Sequence, residues 1–281
     1  MPGPERTDPN DDPSDTWDAR TYERFTDERS RPFFDLLARV GASDPEHIVD
    51  LGCGTGSGLM DMARRWPTAH LVGVDSSTDM LAAARTELGP RAAVTLIQAE
   101  AQTWTPTDPV DVLVSNALLQ WIPEHGELLS RMAGWLAPEG WLAIQVPGNF
   151  GALSHTLLRQ LADSPQWRAR LDGVLRGPES VLEPVDYFQL LTGAGLTVDA
   201  WETTYLHVLT GPDPVLRWTS GTALRPVLAV LDSADAETFS AEYAQLLRAA
   251  YPADKDGHVL FPFRRIFAVG RREAERSDDE S

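Results

Sequence analysis

Four glycines at alternate positions, Gly52, Gly54, Gly56 and Gly58, follow an apolar run that ends in Asp50. Glycine takes φ > 0 without steric cost and lets a ligand approach the backbone closely, so four in alternation fit a cofactor-gripping turn better than a plain chain reversal. Two well-known glycine loops fail on register. A dinucleotide fingerprint counted from Gly52 meets Ser57 at its sixth position, and counted from Gly54 it meets Leu59, where Gly or Ala is required. A phosphate-binding P-loop needs Gly-Lys-Ser/Thr, and the only lysine in the chain is Lys255.

What remains, V-D-L-G-C-G-T-G at Val49 to Gly56, resembles the first motif of class I S-adenosylmethionine-dependent methyltransferases. That cofactor presents a sulfonium, an amino acid head, a ribose diol and an adenine, and each needs a different partner. The resemblance implies that Gly52, Cys53, Gly54 and Gly56 bring backbone against the methionine part, with Asp50 available to its ammonium. Asp75 follows Gly52 by about the twenty residues expected of an acid that accepts both ribose hydroxyls. The alternative for Asp75, capping the next helix, suits Ser76 or Ser77 better.

By the same resemblance Glu100 stands where an aspartate usually accepts from the adenine amino group, and Ser76, Met80 and Ala101 complete that lining. Asn116, Ala117, Gln120 and Trp121 line the methyl-transfer side, although Trp121 equally suits a core. An N-terminal helix is expected to fold over the cofactor, which brings in Tyr22 and sets Arg29 or Arg31 to meet the methionine carboxylate.

Further segments narrow the likeness to the trans-aconitate methyltransferases: Tyr22-x-Arg24-Phe25, Asn116-Ala117-x-Leu119-Gln120-Trp121, Trp201-x-Thr203-Thr204-Tyr205-x-His207, Leu224-Arg225-Pro226 and Phe263-x-Arg265-x-Phe267. The implied reaction carries a methyl group to a carboxylate of a tricarboxylic acid, giving a monomethyl ester. A carboxylate is already ionised at pH 7, so no general base is required. A trianion does need arginines, whose planar forks pair bidentately with carboxylates. Arg225 and the Arg264-Arg265 pair are candidates. Neighbours on a strand face opposite ways, so at most one of the pair enters the site, and the resemblance selects Arg265. Tyr205 and His207, two apart, share a face, and Trp218 is expected beside them.

These residues need a frame. Strands are expected at His47–Asp50, His70–Asp75, Val94–Gln98, Val110–Ser115, Trp141–Val146, Thr197–Leu209 and Val259–Arg271, with helices between most of them. Such alternation of nearly continuous apolar strands with helices predicts an α/β protein: a doubly wound, Rossmann-like sheet of seven strands. The resemblance makes the last strand antiparallel. Thr16–Val40 reads as two helical pieces, with Pro32 suited to the first turn of the second. One domain is expected over 16–272, with helical cap segments at about 149–184 and 211–256, between polar tails at 1–15 and 273–281 that read as disordered.

At 281 residues with 42% hydrophobic content, the chain has enough apolar material for one elaborated core. A net charge of −18 repels nucleic acid and anionic lipid, so a small anionic substrate must be met by a local cluster of cations. Residues 1–15 and 271–281 supply six of those negative charges. One cysteine excludes an internal disulfide and fits a reducing compartment such as the cytoplasm. Six scattered histidines have no ligand-like spacing, so no metal is expected, and no secretion signal or membrane span is read from the sequence. Oligomeric state is not legible. The residues leave three rivals open: a relative acting on another acid or a hydroxyl, for which His125 or His207 would serve as base; a nucleotide-linked oxidoreductase; and a non-catalytic cofactor-binding protein.

Overall fold

A computed structural model describes residues 26–89 and 93–274, with side chains from Ser30 onward in the first helix. The expected helical piece at Trp17–Tyr22, the site role of Tyr22, the side chain of Arg29 and the tails at 1–15 and 275–281 lie outside the described residues.

Seven strands form one sheet: β1 (His47–Leu51), β2 (His70–Asp75), β3 (Val94–Gln98), β4 (Val110–Asn116), β5 (Leu136–Pro147), β6 (Leu196–Leu209) and β7 (Val259–Arg272). Their spatial order is β3-β2-β1-β4-β5-β7-β6. β1 to β5 run parallel, and β7 is antiparallel to both neighbours. The crossover from β1 outward to β3, and then back across to β4, leaves a switch point between β1 and β4. Ligands in open α/β sheets bind there, beyond the carboxyl ends of the strands.

Strand alternation sorts side chains between two cores. Leu113, Leu142, Ile144, Ile266 and Ala268 face one side, where α4 (Gly126–Gly134) and α7 (Pro184–Gly193) cover them. Ile48, Val112, Val114, Ala143, Tyr205 and Phe267 face the other, covered by α1 (Thr26–Leu37), α2 (Ser57–Arg65) and α3 (Thr78–Leu88). Both faces are therefore dry, as near-continuous apolar strands require. Pro32 is an interior residue of α1, not a first-turn residue, because the helix begins at Thr26. Buried Phe33, Leu36 and Leu37 hold that helix on the sheet in spite of the proline.

β6 and β7 outrun the other strands, and their far ends carry a third core. Phe261, Phe263 and Leu209 pack there against α5 (Leu153–Ala162), α6 (Arg168–Leu171), α8 (Pro214–Ser220), α9 (Arg225–Val230) and α10 (Ser233–Ala250). Trp167, Trp218, Phe239 and Tyr243 fill its centre. Among the described residues no helix is long and apolar enough to cross a membrane.

Candidate active site

The glycine loop sits at the carboxyl end of β1, and its backbone is pinned from below. The amides of Gly52 and Cys53 both donate to the Val74 carbonyl, at 2.8 and 3.0 Å. The Gly54 amide donates to Asp75 Oδ2 at 2.9 Å, while Asp75 Oδ1 accepts from the Ser77 amide at 2.9 Å. Asp75 thus ties the loop to the start of α3, in addition to whatever its remaining lone pairs accept. Ser77 caps that helix by accepting from Met80 N, so the cap falls to the serine and leaves Asp75 to the loop.

The glycines differ in what surrounds them. Gly52, at φ 84°, would place a Cβ 2.9 Å from that of Leu118, and Gly56, at φ 81°, would place one 3.1 Å from Ala84 on α3. At Gly54, with φ 53°, an added Cβ would meet nothing within 4 Å. Gly52 and Gly56 are therefore small because protein packs on them, whereas Gly54 faces open space. Cys53 is buried, and burial together with Asp50 and Asp75 pushes its thiol well above the ordinary range, so it is no nucleophile.

Asp50 is 3% exposed, and its acid is pushed up to about 7, first by burial and then by the charge of Asp75. A cationic ligand would relieve that cost. Asp50 also begins a polar row across the α1-covered face. Asp50 is in register with Val114, two residues before Asn116; Asn116 pairs with Gln145, and Gln145 pairs with Phe267, two residues from Arg265. All of these point the same way, because pairing preserves the face. Asn116 Oδ1, Gln145 Nε2 and Ser115 Oγ are buried without a hydrogen-bond partner, as is Gln120 Oε1 just beyond β4. Buried polar atoms are almost always satisfied, so a concentration of orphans beside the switch point marks where a polar ligand belongs.

Ala117 takes φ 58°, an unfavourable conformation for a residue with a Cβ. Its amide donates to the Gln145 carbonyl at 2.8 Å, and its own carbonyl accepts from Gln120 Nε2 at 2.5 Å, which holds the turn. Glu100 is exposed on the rim beyond β3, next to Ala99, whose amide donates to the Asp75 carbonyl at 3.1 Å. Ser76 is exposed beside it, while Met80 and Ala101 are buried.

At the β7 side, Arg265 is 9% exposed, with its guanidinium carbon 4.6 Å from the Phe263 ring centroid. Arg264 points to the opposite face, where Glu183 and Glu202 both hold it, so its charge is already met by two carboxylates. Tyr205 donates to Asp35 of α1, and Arg31 stands over its ring at 5.3 Å. Arg31 is thereby placed with Tyr205 on the edge strand β6. His207 is tilted against Trp218 at 4.5 Å and lies 6.0 Å from Phe263. Tyr205, His207, Trp218 and Arg265 consequently form one neighbourhood. Arg225 opens α9 in the helical layer, a different element from those four.

His125 is excluded as a base by its surroundings. It is buried, stacked on Tyr187, and bonded at Nε2 to the Tyr187 hydroxyl at 2.9 Å and at Nδ1 to the Ile122 carbonyl at 3.2 Å. Sequence reasoning missed Arg176, whose guanidinium donates to the Gln120 carbonyl and lies 3.8 Å over the Trp121 ring. Its Leu-Arg-Gly-Pro context carries no motif that would have exposed it.

Residues 48–140 match the family model for a methyltransferase domain. The chain is 52% identical over 264 residues to the trans-aconitate 2-methyltransferase of Streptomyces avermitilis, covering 92% of this chain and 98% of that one. It is 46% identical to the enzyme of the same name from Mycobacterium marinum, covering 94% and 100%. The fold is shared with solved structures of low identity. The YcgJ protein of Bacillus subtilis aligns at a TM-score of 0.54 and 15% identity, covering 86% of this chain and 97% of that one. A Haemonchus contortus phosphoethanolamine N-methyltransferase in complex with S-adenosyl-L-methionine aligns at 0.53 and 19%, covering 90% and 56%. A glycine loop pinned beneath an open face, a buried acid beside it and near-complete coverage at about half identity lead to one assignment: the chain belongs to the trans-aconitate 2-methyltransferase family of S-adenosylmethionine-dependent methyltransferases.

Proposed function

We propose that this protein methylates a carboxylate of trans-aconitate, and that the row from Asp50 through Asn116 and Gln145 to Arg265 divides cofactor from acid. The observation that carries this reading is the buried Arg265 at the carboxyl end of the sheet, on the same face as the buried Asp50. The names of the relatives support the identity of the acid.

The donor set fits the cofactor. When bound, S-adenosylmethionine supplies an electrophilic methyl group on a positive sulfonium. Asp50 offers an anion to its ammonium, Asp75 accepts from the ribose, Gly54 leaves room for a chain to pass, and the orphaned oxygens of Asn116 and Gln120 suit a cationic neighbour. Glu100, Ser76, Met80 and Ala101 are assigned to the adenosine side.

No side chain has to remove a proton, since the acceptor is already an anion at neutral pH. The protein's task is to hold an oxygen in line with the methyl group and to keep water out, a contribution of up to about 7–11 kcal/mol in well-oriented systems. Arg265 binds and orients the acid, with Arg31 and Tyr205 beside it. Helices within the segments 149–184 and 211–256 act as the cover of a single domain over 16–272, with Trp218 and His207 as its apolar floor.

Incubation with labelled S-adenosylmethionine and trans-aconitate, cis-aconitate and isocitrate tests the reading. Transfer to trans-aconitate, with a monoester as product, is expected. Transfer to none of the three would overturn it.

A further inference from the structure

Several arginines of this acid-rich chain are matched to carboxylates. Arg39 pairs with Asp199, Arg64 with Asp61, Arg170 with Asp235, Arg248 with Asp213 and Arg271 with Glu139. Arg264 takes two glutamates. Arg176 differs from these six. It is half-buried, and its guanidinium pKa is lowered to about 10 by burial, with no carboxylate within ion-pair distance among the described residues. In a protein of net charge −18, a cation desolvated to this degree with no carboxylate beside it leaves a place for an anionic ligand.

Its geometry is fixed in advance. One Nη donates to the Gln120 carbonyl, the plane lies over Trp121, and the Phe150 ring centroid is 6.0 Å away. Gln120 and Trp121 follow the end of β4, and Phe150 follows the end of β5, so the guanidinium is held above the strand ends that carry the orphaned Asn116 and Gln145 atoms. A guanidinium has five N–H donors, and one is committed to Gln120. The neighbourhood is positive throughout: Arg159 and Arg176 both act on His155, which burial and these charges bring down to about 4, so it stays neutral. His155 packs on Phe150 at 5.6 Å and closes that side.

We propose that Arg176 is a substrate-binding, specificity-determining residue that takes a carboxylate of the acid other than the one receiving the methyl group. The assignment rests on the acceptor proposed above. Arg265 and Arg176 then approach the acid from different elements: one from β7, the other from the loop that follows α6. A monocarboxylate cannot satisfy both. Selection for a polyacid follows, because the acid that lacks a carboxylate leaves a buried guanidinium unpaired.

The test compares wild type, Arg176→Gln and Arg176→Lys in the full chain, with trans-aconitate and with two dicarboxylates that each lack a different one of its carboxylates, mesaconate and glutaconate. Arg176→Gln is expected to raise KM for trans-aconitate about 10- to 100-fold, with Arg176→Lys in between, and to leave S-adenosylmethionine binding measured without acid unchanged. One dicarboxylate is expected to be used equally by wild type and Arg176→Gln, a result that a merely structural clamp on Gln120 would not give. An unchanged KM for trans-aconitate, an equal loss for all three acids, or a parallel loss of cofactor binding in both variants would overturn the assignment. Failure of the wild-type chain to methylate trans-aconitate would instead overturn the acceptor, and this assignment with it.

Discussion

The two ends of the site are built in different ways. The cofactor end is local: Asp50, the loop to Gly56, and Asp75 lie within one β-α-β unit and are joined by backbone hydrogen bonds to Val74 and Asp75. The acid end is assembled from afar. Arg31 comes from α1, Arg176 from the cap, Tyr205 from β6 and Arg265 from β7. Short-range construction gives a rigid cradle that any small acceptor can share, whereas long-range construction lets specificity change without disturbing the cradle. On the proposed assignment function divides along that line, with methyl donor on the local side and acceptor on the distant one.

The sharpest way to break the comparison is to block one end alone. Gly54→Leu puts a side chain into open space at a cost of about 1–2 kcal/mol for the left-handed backbone, so it should fold yet abolish S-adenosylmethionine binding by calorimetry. Gly52→Ala is the counterpart. Its Cβ would meet Leu118 at 2.9 Å, so it should lower the free energy of unfolding by about 1–3 kcal/mol before it alters binding.

Next in size, Arg265→Ala should raise KM for the acid about 10- to 100-fold while the dissociation constant of S-adenosylmethionine stays within about twofold. Equal effects on both would erase the division between the ends.

A pH titration probes the cofactor end. Asp50 has an acid pushed up to about 7, against an ordinary 3.8. The folded chain without cofactor therefore keeps a proton that the unfolded chain releases. Stability owed to this group is complete below about 4 and is lost as pH rises through 7. A cationic ligand favours the ionised form, so cofactor affinity should rise about tenfold from pH 6 to 8. Asp50→Asn should flatten that rise. At saturating cofactor kcat should stay level over the same range, since the acceptor needs no base; a basic limb would favour a hydroxyl acceptor instead.

The smallest effect is expected at Arg264. Its partners Glu183 and Glu202 are more than half-exposed or close to it, so Arg264→Gln should cost about 1 kcal/mol of stability or less and leave KM for the acid unchanged. Two adjacent arginines would then differ in kinetics by more than an order of magnitude, which separates an acid-binding face from a structural one.

Much of this was legible before folding was considered. The glycine register, the apolar strands and the acids at their ends are short-range facts, because a strand repeats every two residues and a turn is closed by its own residues. The family resemblance added the antiparallel last strand, which periodicity alone does not specify. Legibility failed where distance in sequence mattered. Pro32 read as a helix start, since nothing in the local code says that burial of Phe33, Leu36 and Leu37 will hold a helix through it.

Local alternation already required Arg264 and Arg265 to part company, but only the packing of α7 on one face and α1 on the other decided which arginine meets Glu183 and Glu202 and which lies on the face of Tyr205. Gly52, Gly54 and Gly56 are indistinguishable as letters, yet Leu118 and Ala84 fill the space at two of them and leave the third open. Arg176 has no sequence signature, and its burial over Trp121 arises from a cap loop folding onto the end of β4. The individual strands, the loop and the anionic groups at the strand ends were set by the order of residues alone, because each depends on neighbours in the chain. Which arginines meet carboxylates of the chain and which stand at the strand ends was settled only by folding, because the groups that surround them lie far away along the chain.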